Sequence, residues 1–301
     1  MTPAAPRVSL IICTRNRASQ LALCLQHMAR LESPPGGWEL VVVDNGSADN
    51  TPEVIGAFMR EAAFPVIQAR ERQPGVGRAR NTGIAHAQGE LYVFTDDDCY
   101  VRPDFLWQVC CVFERPNVGY VGGRVVRHDP TDDPVTTKDV LTPEIIPPRS
   151  FLPAGVIHGA NMAVRREVIQ GIGGFDPLLG AGTPFRCGED IDLLARACWA
   201  GWVGTYDPRP VVAHHHGRKP GREVQRLMRG YDYGRGAYYA KALLDGSRRR
   251  VYLGRWGQAL RHDLRSGLLG RPTREIAGAA HYLAYSLIDA ICSWPRPRRS
   301  A

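Results

Sequence analysis

The stretch Leu91-Tyr92-Val93-Phe94-Thr95-Asp96-Asp97-Asp98-Cys99 decides the fold. Behind Gly89, a run rich in β-formers reads as a short buried strand. Three carboxylates follow where that strand ends, and in open α/β sheets ligands bind at the carboxyl ends of strands. Three adjacent anions repel one another, so the arrangement asks for a positive partner. A hard divalent cation, Mg2+ or Mn2+, bridging to phosphate oxygens supplies it. The plainer alternative is a solvated acidic turn leading into a helix that begins near Pro103. Placement directly behind a buried strand favours the cation.

Upstream, Val8-Ser9-Leu10-Ile11-Ile12-Cys13 forms a first strand with Thr14-Arg15-Asn16-Arg17 as its loop. A helix from about Ala18 to Arg30 sets Leu21, Leu25 and Met28 on one face. Glu39-Leu40-Val41-Val42-Val43 is almost continuously apolar, as a strand covered on both faces must be, and ends in the turn Asp44-Asn45-Gly46-Ser47. Thr51-Pro52-Glu53 opens a second helix, Pro65-Val66-Ile67 is a short third strand, and a helix through Asn81 to about Ala87 leads into the acidic strand. Strand and helix alternating four times predict an α/β protein with a doubly wound, mostly parallel central sheet.

Downstream, Gly119 to Val126 reads as another strand. Arg127 to Pro153 then carries six of the chain's 23 prolines and no periodic pattern. A loop of that length in a compact domain is functional or mobile. Gly188-Glu189-Asp190 precedes a helix through Ala200 in which Ile191, Leu194, Ala195 and Cys198 share a face. Asp190 sits at a helix N-terminus, where the backbone's partial positive charge favours a carboxylate, so capping accounts for it as well as chemistry does. Glu189 is its partner or a second first-turn acid. Two short β segments near Val203-Tyr206 and Val211-Ala213 run into His214-His215-His216. Period two puts His214 and His216 on one strand face, and imidazole suits Mn2+. Gly75-Val76-Gly77-Arg78-Ala79-Arg80 lacks the third glycine of a dinucleotide fingerprint. Its two arginines near a helix start suit an anion or a base carbonyl, or solvent.

The 301 residues suffice for one large α/β domain and an appendage. A composition 44% hydrophobic and 23% charged is that of a soluble globular protein. No apolar run reaches the length of a bilayer span, and no secretory leader is evident before the first strand. The eight cysteines show no CxxC pair or regular spacing, which argues for reduced thiols in a cytoplasmic protein and against a zinc site or disulfide framework. Charge is uneven: residues 217–301 hold 18 Lys and Arg against 6 Asp and Glu, while the preceding part is net acidic. Helices near Val224 to Leu244, Leu253 to Leu269 and Glu275 to Trp294 carry that charge, with tyrosines and tryptophans among the arginines. They fit the anionic inner face of a membrane, or a helical subdomain packed on the sheet.

Taken in order, Val8 to Arg15, Val41 to Ser47, Ala79-Arg80-Asn81-Thr82-Gly83-Ile84, Thr95-Asp96-Asp97-Asp98, Gly159-Ala160-Asn161-Met162-Ala163-Val164-Arg165, Gly173-Gly174-Phe175-Asp176 and Gly188-Glu189-Asp190 resemble a family 2 glycosyltransferase of the GT-A fold. The resemblance covers about Val8 to Gly217. It implies a catalytic domain over residues 1–217 and a basic, mainly helical extension over 218–301. It implies an inverting enzyme that takes a sugar from a nucleotide-diphosphate donor to a carbohydrate or lipid-linked acceptor, in cell-surface polysaccharide or glycolipid synthesis. Thr14, Arg15, Asp44, Arg80, Asp96, Asp97, Asn161 and Glu189 are then the candidate nucleotide-sugar contacts. Asp98 with His214 or His216 holds Mn2+ or Mg2+, and Asp190 is the catalytic base. The QxxRW motif and membrane spans of processive synthases are missing here: Gln225-Arg226-Leu227-Met228-Arg229 lacks the tryptophan. Transfer of single sugars is the expectation.

Two other classes compete. A sugar nucleotidyltransferase shares strand-end acids but needs no acceptor base. A nucleic-acid-binding protein would use the basic tail but leaves the aspartate triplet unexplained and has no stacking platform, so no nucleic acid is expected as partner.

Overall fold

The computed structural model describes residues 5–292. Strand–helix alternation runs β1 (Val8–Thr14), α1 (Ala18–Met28), β2 (Trp38–Asp44), α2 (Thr51–Glu61), β3 (Val66–Arg70), α3 (Val76–His86) and β4 (Leu91–Asp96). The chain continues through β5 (Cys99–Val101), α4 (Phe105–Val112), β6 (Val118–Arg127), β7 (Glu144–Ile146), β8 (Met162–Arg165), α5 (Arg166–Ile172), α6 (Glu189–Trp199) and β9 (Val203–His214). Three helices close it: α7 (Arg222–Leu244), α8 (Arg249–Arg265) and α9 (Gly270–Cys292). The sequence predicts the last helix to reach Trp294; Ser293 and Trp294 lie outside the described residues.

The strands form one sheet in the order β3-β2-β1-β4-β8-β6-β9-β5, with β7 also against β9. The first four are parallel, and their register sets Thr14 opposite Asp44 and Cys13 opposite Asp96. The acidic strand therefore ends level with the loop after β1. Alternation along β1 builds two cores: Leu10 and Ile12 pack with Leu21, Leu25 and Val42 on one face, while Ile11 packs with Val41, Val43 and Phe94 on the other. Helix α3 lies close on the second face because Gly83 has no side chain; a Cβ there would sit 2.5 Å from Ile11 Cγ2.

Three expectations change. Cys99–Val101, unassigned from sequence, is a strand paired antiparallel with β9, Cys99 opposite His214. The two segments before the histidines are one strand of twelve residues. Its register against β6 jumps between Tyr206 and Val211, where Pro208 and Pro210 sit in a bulge that needs no ladder N–H. The proline-rich loop contains β7, and the Tyr206 hydroxyl ties its neighbourhood down by donating to Val140 O at 2.7 Å.

The C-terminal helices pack on one another and, through α7, on α6. Ala237, Tyr238, Ala240, Tyr252 and Trp256 join the same apolar cluster as Phe94 and Leu194. Tyr238 Oη donates to Leu152 O at 3.0 Å, and Lys241 Nζ reaches Asp176 Oδ2 at 2.7 Å and Asp192 Oδ2 at 2.8 Å. Much of the basic charge is thereby spent: Arg235, Arg271 and Arg274 pair with Glu275 or Asp232. Arg255, Arg261 and Arg265 of α8 have no carboxylate partner among the described residues.

Candidate active site

A cavity of about 890 Å³ opens at the carboxyl edge of β1 and β4. Thr14 and Arg15, Asp96 to Asp98, and His214 line one side of it; Glu189 and Asp190 line the other, with Arg80 between.

On the acidic side, the β5–β9 pairing brings His214 Nε2 to 3.3 Å from Asp98 Oδ1. Arg17, which sequence reading left as part of a loop, donates to Asp98 Oδ2 at 2.7 Å and lies 2.9 Å from Asp97 Oδ1. Thr14 Oγ1 donates to Asp97 Oδ2 at 2.7 Å. Burial pushes Asp97 up to about 7 against the pull of Arg17 and Thr14. Burial would raise Asp98 as well, but His214 and Arg17 hold it below the usual carboxylate range. Asp98 is thus the more readily ionised of the two neighbours.

Ligating atoms of Asp96, Asp98, Cys99 and His214 lie within 4.8 Å of one another. Burial keeps the Cys99 thiol protonated, its pKa well above the ordinary value. The remaining two carboxylates and one imidazole are donors suited to a hard or borderline divalent cation with open positions for further oxygens. His216 lies outside the cavity wall. Its Nδ1 accepts from the Arg218 N–H at 3.0 Å and its Nε2 donates to Asp133 O at 3.1 Å, so both ring nitrogens are engaged. The strand ends at His214, so the period-two argument stops two residues short of His216.

On the other side, Gly188 begins α6 at φ +98°, a conformation glycine adopts without steric cost, and aims the first turn into the cavity. Asp190 is fixed there: Oδ2 accepts from the Gly159 N–H at 3.0 Å and Oδ1 from the Ile191 N–H at 2.7 Å. His158 lines the same wall, and burial lowers its pKa, which keeps the ring neutral. Glu189 is buried against Arg80, with Oε1 3.0 Å from Nη1. Burial, and then the charge of Asp190, push it up to about 7 although Arg80 opposes them.

Arg80 bridges the two sides. Its guanidinium reaches Glu189 and, at 3.3 Å, Asp96, while it stacks 5.4 Å from the Phe175 ring centroid. Two further residues expected to touch a nucleotide sugar do not line the cavity. Asp44 is buried and accepts from the Ser47 N–H at 2.8 Å, closing its own turn. Asn161 donates to Arg124 O at 2.9 Å and Pro210 O at 3.1 Å, fastening β6 to β9. Helix α7 supplies a wall absent from the sequence reading: Val224, Leu227, Met228 and Tyr231, spaced to share a helix face, with Arg218 nearby.

Residues 9–173 match the family described as Glycosyl transferase family 2. The chain is 28% identical over 287 residues to glycosyltransferase AglE of Haloferax volcanii, covering 95% of this chain and 87% of that one. It is 28% identical over 220 residues to the pre-mycofactocin glycosyltransferase of Mycobacterium tuberculosis, of which it covers 44%. Among solved structures it resembles a mannosyltransferase from Pyrobaculum calidifontis in complex with GDP-Man and Mn2+, at TM-score 0.66 and 22% identity over 99% of this chain and 83% of that one. The match to the family spans more than half of the sequence and includes the acidic strand end, the loop after β1 and the Arg80 helix; the chain belongs to glycosyl transferase family 2 and is a glycosyltransferase.

Proposed function

We propose that the protein is a metal-dependent, inverting glycosyltransferase that moves one sugar from a nucleotide-diphosphate donor to an acceptor hydroxyl. The observation that carries this reading is the single cavity with an Asp98–His214 pair at one wall and a backbone-anchored Asp190 at the other. The nucleotide diphosphate sits on the acidic side, against Thr14, Arg15 and Asp96 to Asp98. Asp98 and His214 would hold Mn2+ or Mg2+, with Asp96 as a further oxygen donor. When bound, the cation neutralises charge on the departing diphosphate. Asp190 accepts the proton of the acceptor hydroxyl, whose oxygen attacks the anomeric carbon from the face opposite the leaving group, so configuration inverts. Arg80 and Glu189 position these two walls rather than touch the reacting atoms.

The acceptor lies along α7. Leu227, Met228 and Tyr231 offer it an apolar wall and Arg218 a cation, which fits an amphipathic or lipid-linked acceptor in cell-surface polysaccharide or glycolipid synthesis. Residues 1–217 carry the donor side and the base, and 218–301 complete the acceptor side. Among the described residues no helix is long and apolar enough to cross a membrane. Exposed Leu264, Leu268 and Leu269 beside Arg261 and Arg265 form a surface for an anionic bilayer. A nucleotidyltransferase would have no use for Asp190, and the family match weighs against it.

Asp190→Asn tests the reading. General-base catalysis contributes about 10²–10⁴-fold, so kcat should fall by that factor while donor affinity holds. Asparagine is itself a good residue at a helix start, so a purely structural Asp190 would tolerate the change. Retention of most turnover would move the base elsewhere, with Glu189 the first residue to examine.

A further inference from the structure

Thr136 lies in the strap between β6 and β7, to which the catalytic reading gives no role. Its φ is +58°, in the left-handed region that a β-branched residue rarely enters. Such backbone is strained and persists where its surroundings over-determine it. Here they do. Lys138 pairs with Val125 on one side, N–H to O at 3.0 and 3.1 Å. On the other, the Asp133 N–H donates to Arg218 O at 2.8 Å, and Lys219 Nζ donates to Asp129 at 2.7 Å and Asp132 at 2.6 Å.

Held in this way, Thr136 lines the cavity with Oγ1 2.6 Å from Val135 O and 3.3 Å from His214 Nδ1. A carbonyl oxygen only accepts, so the single hydroxyl proton is committed to Val135 O. Toward His214 the hydroxyl then presents a lone pair, and Nδ1 must be the donor. That leaves Nε2, paired with Asp98 Oδ1 at 3.3 Å, as the ring atom that faces the cation site.

We propose that Thr136 is a positioning residue of the cation site: its hydroxyl accepts from His214 Nδ1, fixes Nε2 as the ligating atom beside Asp98, and is the reason the strained turn is kept. The inference rests on the reading that Asp98 and His214 hold a divalent cation. Lost hydrogen bonds behind metal-ligating imidazoles typically weaken metal binding about 10–100-fold.

The test is Mn2+ titration of the full chain, followed by the electron paramagnetic resonance of free Mn2+, with no donor or acceptor present. Thr136→Val keeps the branched shape and removes the acceptor oxygen, so Mn2+ should bind about 10–100-fold more weakly. Thr136→Ser restores the oxygen and should bind like the unaltered protein. Melting curves in EDTA check that each variant is folded, and Thr136→Ala replaces the valine variant should that one unfold. A hydroxyl-free variant that binds Mn2+ as tightly as the unaltered protein, or a serine variant as weak as valine, overturns the role of Thr136 and leaves the cation site standing. An unaltered protein that binds no Mn2+, or a His214→Ala variant that binds it undiminished, overturns the cation site and this inference with it.

Discussion

Replacing Arg80 by methionine keeps a flexible apolar stem between Phe94 and Phe175 and deletes the one charge that joins both walls of the cavity. The two pairs it leaves behind are not equal. Glu189 is buried, whereas the Asp96 side chain is 40% exposed. Removing one partner of a buried pair costs about 3–5 kcal/mol, and an exposed contact at most about 1 kcal/mol. At pH 8 the variant can discharge Glu189 by protonating it, which caps the loss below the figure for a buried pair: it should lose about 2 kcal/mol, or about 4–8 °C in Tm at about 2–4 °C per kcal/mol.

The pH dependence identifies which pair is responsible. Glu189 has a folded pKa of about 7 against an ordinary 4.5, so between those values the folded protein holds the extra proton and stability falls as pH rises through that window. At pH 5 Glu189 is neutral in the folded protein, and Arg80 has already lost that ion pair. Only the screened Asp96 contact remains, so the deficit of Arg80→Met should be about 1 kcal/mol or less at pH 5, and a single group titrating at about 7 can enlarge it by at most about 1.4 kcal/mol by pH 8. Urea unfolding of both proteins at pH 5 and pH 8, at one ionic strength, measures this. A deficit no larger at pH 8 than at pH 5, or none at pH 8, would refute the assignment of Glu189 as the buried partner.

Binding of GDP or UDP should weaken at least about tenfold, about 1.4 kcal/mol, on adding EDTA or in Asp98→Ala, read by calorimetry; unchanged affinity under both would remove the cation from the donor site. Cosedimentation with vesicles should require anionic lipid and fall with salt, each basic residue near the surface contributing about 1 kcal/mol. Leu268→Asp combined with Leu269→Asp should abolish it. Equal recovery on neutral lipid would refute the electrostatic attraction, and failure to bind either lipid would leave α8 and α9 a packing role alone.

Local signals were sufficient for much of this. Hydrophobic runs covered on both faces gave β1, β2 and β4, glycine and proline marked the turns between them, and the four strand–helix repeats required a parallel sheet. Acids behind a buried strand and at a helix start were legible because each depends on its immediate neighbours along the chain. The same period-two rule tells which face a residue takes but not which strand lies beside it. The meeting of His214 with Asp98 therefore waited on the antiparallel pairing of β5 with β9, two strands distant in sequence. Polar side chains in a motif declare what they can bond, not what they do bond. Asp44, Asn161 and His216 bond to nearby backbone, and Arg80, in the cavity wall, pairs with Glu189 and Asp96. The α7 wall was equally unreadable, since an apolar helix face names no partner until the fold brings one to it. Sequence alone determined the strand-end chemistry; the tertiary structure decided which of those groups face one another, because burial and pairing act across space rather than along the chain.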